Sequence, residues 1–173
     1  IDRRPGIPAI PWGPRLERRI MTTVLTYGTF DLFHVGHVRL LRRLRALGDR
    51  LIVGCSTDEF NAIKGKKSIF TYEDRHEILS SCRYVDQVFP EEEWDQKPKD
   101  VMRYGVDIFA MGDDWAGKFD YLEAEVGCTV TYLARTADIS TTQVKQVVAK
   151  IDEERRTSLK NQMMSLVEQI ERM

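Results

Sequence analysis

Residues 24–37 read VLTYGTFDLFHVGH, and this stretch decides which fold the sequence predicts. It begins with a short apolar run that is typical of a buried strand. It ends in two histidines at the start of a helix-like segment, 35–47, whose leucines share one face. A helix N-terminus carries unsatisfied backbone N–H groups and a partial positive charge. The stretch therefore predicts a strand, a turn that binds an anion such as phosphate, and a helix.

The rest of the chain repeats this alternation of strand and helix. Helices are predicted at 71–82, at 99–104 and after a capping-box sequence at Ser140, and further strands at 51–55, 84–89, 106–111 and 129–133. The alternation favours an α/β fold, a Rossmann-like parallel five-stranded sheet with helices on both faces. Ligands of such folds bind where the strands end. We therefore expect one crevice, lined by the loops that follow Tyr27, Cys55, Phe89, Met111 and Leu133.

The 173 residues divide into three predicted segments: a Pro/Arg-rich arm or linker at 1–20, a folded domain at 21–151 and a C-terminal helical extension at 152–173. Apolar residues from Leu159 to Met173 repeat at spacings of four and three, as in a coiled coil. They do not share the register of the stripe that starts at Val144, so a break is predicted near 153–157. The extension could pack on its own domain, contact a second subunit or link to a further domain.

The composition excludes several classes of protein. A net charge of -1 argues against a general nucleic-acid binder, and no apolar run approaches the length of a membrane span. The prolines near the N-terminus argue against a signal peptide. The three cysteines are odd in number and widely separated, which indicates free thiols and a cytoplasmic location. No nucleic-acid or membrane partner is therefore expected.

Several polar groups lie where the predicted crevice would be. The basic run 64–67 is either a clamp for phosphates or a solvated loop, and Asp113 and Asp114 could accept from substrate hydroxyls, position a cation or cap a helix. The helix start at Ser140 would provide a second set of phosphate donors opposite the first. The histidine pair lacks a third ligand at zinc-like spacing, so a zinc site is not predicted.

From 24 to 149 the chain resembles the bacterial glycerol-3-phosphate cytidylyltransferases of the HxGH nucleotidyltransferase superfamily. The resemblance is carried by the segments YGTFD, HVGH, STDEF, YVD, MGDDWAGKFD and RT…ISTT. It implies that 21–151 is a cytidylyltransferase domain. The implied reaction joins CTP and sn-glycerol 3-phosphate into CDP-glycerol and pyrophosphate, with Mg²⁺, by direct in-line attack. It also implies a homodimer and a role in teichoic acid, capsule or another glycerol-phosphate polymer.

The resemblance also implies roles for individual residues. The catalytic residues would be His34, His37, Lys66 and Arg135. The nucleotide would be bound by these and by Gly28, Thr29, Phe30, Asp114, Thr136, Ile139, Ser140, Thr141 and Thr142. The acceptor substrate would be bound by Lys64, Arg75, Arg83, Trp94 and Lys97. The metal ligands are not assigned.

Three positions depart from the family pattern: Asp138 replaces a glycine, Val35 stands where an aromatic residue can occur, and Pro98 follows Lys97. These departures leave the acceptor open. The alternatives are a cytidylyltransferase for ethanolamine, choline or polyol phosphate, an adenylyltransferase, and an inactive nucleotide-binding scaffold.

Overall fold

The computed structural model describes residues 21–135 and 140–171, and side chains as far as Met164. The predicted arm at 1–20, the departure at Asp138 and the predicted nucleotide ligands Thr136 and Ile139 lie outside the described residues.

The described chain forms five strands and six α-helices. The strands are β1 (Thr23–Gly28), β2 (Arg50–Ser56), β3 (Gln87–Glu91), β4 (Ile108–Gly112) and β5 (Thr129–Leu133). The helices are α1 (Val35–Arg45), α2 (Asp58–Ile63), α3 (Tyr72–Ser80), α4 (Lys97–Tyr104), α5 (Tyr121–Val126) and α6 (Thr141–Glu171). All strand pairs are parallel, in the order β3-β2-β1-β4-β5. This confirms the predicted fold class.

The sheet buries both of its faces, as expected for parallel strands. Val24 of β1 belongs to an apolar cluster with Leu41 and Leu44 of α1, whereas its neighbour Leu25 belongs to a cluster with Val101 of α4 on the opposite face. The strand order reverses direction at β1, between β2 and β4. Open α/β sheets form their ligand crevice outside the carboxyl ends of the strands at such a point.

The largest shift of a predicted element is in β3, which begins at Gln87 rather than at 84. Residues 82–85 form a turn, because the N–H of Val85 donates to the carbonyl of Cys82. Asp86 then fixes the register, since its carboxylate accepts the N–H of Leu51 at 2.7 Å. The short helices α2 and α5 were not predicted, because six residues are too few to reveal a helical period.

The predicted break near 153–157 is wrong, because α6 is continuous from Thr141 to Glu171. The helix contains no glycine or proline, and the Asp152–Arg156 and Lys150–Glu154 ion pairs span this region at i,i+4 spacing. Val148 and Leu159 are eleven residues apart, which is close to three turns of a straight helix. The two stripes therefore share a face although they do not share a heptad register.

In the described part of the chain, no helix has the length and apolar character needed to span a membrane.

Candidate functional site

The two histidines cap the first helix together. His34 is the N-cap residue of α1, and its Nδ1 accepts the N–H of Gly36 at 3.1 Å. The Nδ1 of His37 accepts the N–H of His34 at 3.4 Å, and the two rings stack with centroids 4.0 Å apart. Because each Nδ1 is an acceptor, the hydrogen-bond network assigns the proton of each neutral ring to Nε2. The pair therefore provides two Nε2–H donors.

Both rings are neutral near pH 7. Burial, reinforced by the neighbouring His34, lowers the pKa of His37 to about 4, and burial also lowers the pKa of His34. The histidines therefore act in the free protein as hydrogen-bond donors and not as cations.

The turn that precedes the histidines is held in a constrained conformation. Phe30 and Leu32 have φ values of 53° and 47°, in the left-handed region that favours glycine. The Phe30 ring is buried and lies edge-on to His37, with 5.3 Å between centroids. Asp31, which lies between Phe30 and Leu32 in the sequence, is 4% exposed. Its carboxylate accepts the N–H groups of Ile69 and Phe70 and pairs with Lys145 of α6 at 2.9 Å.

The buried Asp31 carboxylate is ionised despite its environment. Burial alone would raise its pKa, but Lys145 and the N–H groups of Phe70 and Ile69 hold that pKa below its usual value. Asp31 therefore joins the turn after β1, the loop at 69–70 and the first turns of α6.

The N-termini of α1 and α6 meet in one cleft. The Ser140 hydroxyl accepts the N–H of Gln143 at 3.2 Å, as an N-cap does. The Thr141 hydroxyl donates to the carbonyl of Asp31 at 3.1 Å and lies 3.5 Å from Nε2 of His34. We call this cavity of about 270 Å³ the histidine cleft; its lining includes His34, Gly36, His37, Gly112, Asp113, Asp114, Arg135, Ser140, Thr141 and Thr142.

A second cavity lies beyond the ends of β1, β3 and β4. We call it the lysine pocket; its lining is Tyr27, Gly28, Thr29, Lys64, Lys66, Glu91, Trp94, Lys97, Met111, Trp115 and Phe119. Lys64 and Lys97 both pair with Glu91, at 3.2 and 2.9 Å. Three lysines and one glutamate give this pocket a formal charge of +2, which matches a phosphate dianion.

The segment that ends β4 lines both cavities. Gly112, Asp113 and Asp114 line the histidine cleft, whereas Met111 and Trp115 line the lysine pocket. Any Cβ at Gly112 would lie 2.6 Å from Oδ1 of Asp114, so glycine makes room for that carboxylate. Ligands in the two cavities would therefore lie on either side of the same five residues.

Most of the predicted site residues line one cavity or the other. Gly28, Thr29 and Lys66, which the sequence predicts at the nucleotide, line the lysine pocket. A Cβ at Gly28 would lie 2.8 Å from the Phe30 ring, so Gly28 makes room for that ring. Phe30 itself lines neither cavity; its ring packs against the ring of His37.

The two predicted acceptor arginines line neither cavity. The Arg75 side chain is buried, and its guanidinium donates to the carbonyls of Thr29 and Ser56 at 2.8 and 2.7 Å and pairs with Asp58 at 2.6 Å. Protein acceptors therefore occupy the guanidinium, which is not directed towards either cavity. Arg83 is exposed in the turn before β3, at the amino edge of the sheet and opposite to the cavities.

The described side chains contain no cluster of three or more His, Cys, Asp or Glu that could hold a metal ion. Asp113 and Asp114 are the two carboxylates that line the histidine cleft. One or two carboxylates together with substrate phosphates are a typical Mg²⁺ environment, so this donor set fits a cation that arrives with a nucleotide.

Sequence reasoning missed two buried carboxylates, Asp31 and Glu91. Asp31 lies inside the stretch 24–37, and its predicted position in a turn gave no sign of burial. Glu91 follows the predicted strand at 84–89, so the rule that loops after strands carry ligand-binding groups could have found it.

Comparisons with known proteins identify the family. A family model described as cytidylyltransferase-like matches residues 25–147. Over 129 residues the chain is 54% identical to a glycerol-3-phosphate cytidylyltransferase of Bacillus subtilis (strain 168), covering 75% of this chain and 98% of the relative. It is 57% identical to the Staphylococcus aureus (strain NCTC 8325 / PS 47) protein of the same name, covering 73% of this chain and 94% of the relative.

A solved structure shares the fold. The lipopolysaccharide core biosynthesis protein of Thermoplasma volcanium GSS1 superposes with a TM-score of 0.59 at 29% identity, covering 69% of this chain and 99% of that one. The matched family model spans most of the chain, and both curated relatives are matched over nearly their whole length. The chain therefore belongs to the cytidylyltransferase-like family, in the branch of the glycerol-3-phosphate cytidylyltransferases.

Proposed function

We propose that this protein transfers the CMP group of CTP to sn-glycerol 3-phosphate, giving CDP-glycerol and pyrophosphate. The observation that carries the proposal is the shared segment 111–115, which has the histidine cleft, built at two helix N-termini, on one side and a pocket of formal charge +2 on the other. Curated relatives at 54 and 57% identity carry the name of this activity.

In this proposal the histidine cleft holds the triphosphate of CTP. Residues at the N-termini of both α1 and α6 line the cleft, and the positive ends of two helix dipoles there favour a polyphosphate. Arg135 adds a cation at the rim, and the hydroxyls of Ser140, Thr141 and Thr142 add polar contacts.

The lysine pocket would hold the acceptor phosphate. A phosphate monoester has its second pKa near 6, so it is largely dianionic at neutral pH and attacks the α-phosphorus without a general base. The attack is in line, forms the new P–O bond and releases pyrophosphate, with no covalent enzyme intermediate. Catalysis then consists of positioning and electrostatic stabilisation.

The same pocket favours glycerol phosphate over phosphates of amino alcohols. The Lys64 ammonium lies 4.2 Å from the Phe60 ring centroid, and the Lys97 ammonium lies 4.6 and 5.1 Å from those of Tyr27 and Trp94. These are the positions in which an aromatic cage would bind a substrate ammonium group. An ethanolamine or choline headgroup would meet like charge there.

The transition state would be stabilised mainly by neutral donors. The Nε2–H groups of His34 and His37 would donate to oxygens of the α- and β-phosphates, where negative charge moves as the bond to pyrophosphate breaks. Lys66, which is exposed at the rim of the lysine pocket, would reach the phosphates from the acceptor side.

Mg²⁺ would enter with CTP, held largely by phosphate oxygens and water, with Asp113 or Asp114 as its protein ligands. When bound, it would neutralise part of the triphosphate charge.

We further infer a cytoplasmic homodimer that supplies CDP-glycerol for a glycerol-phosphate polymer such as teichoic acid or a capsule. The free thiols Cys55, Cys82 and Cys128 support a reducing compartment. The apolar side chains of α6 support a second subunit, since Val147, Val148, Ile151, Leu159 and Met163 are 53 to 68% exposed.

Pyrophosphate release tests the activity. Purified protein with Mg²⁺ is assayed with CTP or ATP against glycerol 3-phosphate, ethanolamine phosphate, choline phosphate and a polyol phosphate. We expect turnover with CTP and glycerol 3-phosphate at a kcat/KM well above that of any other pair. CTP binding without pyrophosphate release from any acceptor would favour a scaffold, and preference for another acceptor would replace glycerol phosphate in the proposal.

A further inference from the structure

Glu91 is the last residue of β3 and lies between Lys64 and Lys97, two of the three lysines that line the lysine pocket. The residue is 3% exposed, and both of its carboxylate oxygens are engaged. Oε1 pairs with Lys97 at 2.9 Å, and Oε2 accepts from Lys64 at 3.2 Å and from the Ser56 hydroxyl at 2.5 Å.

The two lysines come from different elements. Lys64 is the C-cap residue of α2, and Lys97 is the first residue of α4. Within the described residues, Glu91 is the only carboxylate that pairs with either ammonium group. It therefore fixes the distance between two charges that would otherwise repel each other.

The remaining hydrogen-bond capacity of the lysines indicates what the pair is arranged to bind. An ammonium group has three N–H donors. Lys64 uses two of them on Ser56 and Glu91, and Lys97 uses two on Glu91 and the carbonyl of Trp94. The described contacts leave one donor on each lysine, and two adjacent donors match two oxygens of one phosphate.

We propose that Glu91 is a positioning residue for the acceptor: it holds Lys64 and Lys97 side by side and charged, so that together they bind the phosphate group of the acceptor ester. This inference rests on the proposed function for the identity of the acceptor. Glu91 itself touches neither substrate, because both of its oxygens are occupied by protein donors.

Charge supports the same conclusion. Burial lowers the pKa of Lys64, and Glu91 opposes this lowering while Lys66 and Lys97 add to it. Replacing the carboxylate by a neutral group would leave the Lys64 and Lys97 ammonium groups buried without their shared counter-ion, which favours separation of the pair.

Steady-state kinetics of Glu91→Gln test the proposal, with Glu92→Gln as the matched control because that neighbour is exposed. In Glu91→Gln we expect the KM for glycerol 3-phosphate to rise about tenfold or more, while the KM for CTP stays within about twofold and Glu92→Gln behaves as the parent. An unchanged acceptor KM, or an equal rise in both KM values, would overturn the proposal.

Glu91→Asp provides a second variant, since it keeps the charge on a side chain too short to reach both lysines; its acceptor KM should lie between those of the parent and Glu91→Gln. If neither variant folds, Glu91 is a core residue and the proposal is wrong.

If the parent protein releases no pyrophosphate, the proposed function fails first, and calorimetry with glycerol 3-phosphate alone then tests the role of Glu91. Weaker binding by Glu91→Gln than by the parent would still support the positioning role, and equal or absent binding would overturn it.

Discussion

The hydroxyl of Thr141 donates to the carbonyl oxygen of Asp31 at 3.1 Å and so joins residues 110 positions apart in the sequence. The same hydroxyl oxygen lies 3.5 Å from Nε2 of His34. Since its own hydrogen is directed to Asp31, this oxygen can accept from the Nε2–H of His34 in the free protein, and a bound phosphate oxygen would take its place as the acceptor. One side chain thereby orients both the last helix and the first histidine.

Thr141→Val should weaken this junction while keeping the shape of the side chain. We expect kcat/KM for CTP to fall about tenfold, because the His34 ring loses an orienting partner and one hydrogen bond across the cleft is lost. Thr157→Val, on the exposed part of α6, is the control and should leave the kinetics unchanged. Parent-like kinetics for Thr141→Val would contradict the orienting role.

His37→Ala should lower kcat by about 10²-fold or more, because a preorganised donor to the transition state is lost. His76→Ala is the matched control, since His76 is the remaining histidine of the chain and lines neither cavity. Single-turnover kinetics with CTP and glycerol 3-phosphate would separate the chemical step from binding. Normal turnover by His37→Ala would rule out the assigned role.

The low pKa of His37 predicts how stability depends on pH. The pKa is about 4 in the folded protein, against the usual value of 6.5, so the unfolded chain binds more protons between these values. The free energy of unfolding should therefore fall as the pH drops from about 6.5 to 4, by at most about 3 kcal/mol from this group. Well above pH 6.5, where neither state binds the proton, the group contributes no pH dependence.

Urea unfolding at pH values from about 7 down to 4.5 would measure this effect. His37→Gln lacks the titrating group and should lose less stability than the parent over the same range. Equal losses in the two proteins would mean that His37 is not the residue responsible.

The two arginines should separate stability from substrate binding. Arg75→Ala leaves backbone carbonyls and Asp58 without their buried donor, and should destabilise the fold by about 3–5 kcal/mol in urea unfolding. Arg83→Ala removes an exposed side chain far from the cavities, and its KM for glycerol 3-phosphate should match that of the parent. A raised KM for glycerol 3-phosphate in Arg83→Ala would instead support the acceptor contact that the sequence predicts for Arg83.

The sequence carries enough information to predict the strands of the sheet and the helix starts that form the histidine cleft. The strands show as apolar runs, and capping residues such as Thr71 and Ser140 mark helix starts that the structure confirms. Both signals are local, so they can be read without knowing which segments meet. The parallel order then follows from the alternation of strand and helix.

The role of Arg75 could not be predicted in the same way. Whether Arg75 reaches a substrate or three protein acceptors depends on segments that lie 17 to 46 residues away in the chain. In the sequence, the positive charge of Arg75 favoured the prediction that it binds a substrate phosphate. The continuity of α6 was missed for a related reason, since the heptad pattern implied a supercoil that a straight helix does not require.

The position of Arg75 also bears on how this protein unfolds. Its guanidinium donates hydrogen bonds to acceptors at the ends of β1 and β2, at the start of α2 and in the loop before α3. The floor of the lysine pocket and the interior of the sheet therefore form a single cooperative unit, without a separately unfolding active-site layer. On heating, catalytic activity and tertiary structure should disappear in one transition, and no inactive but folded intermediate should accumulate.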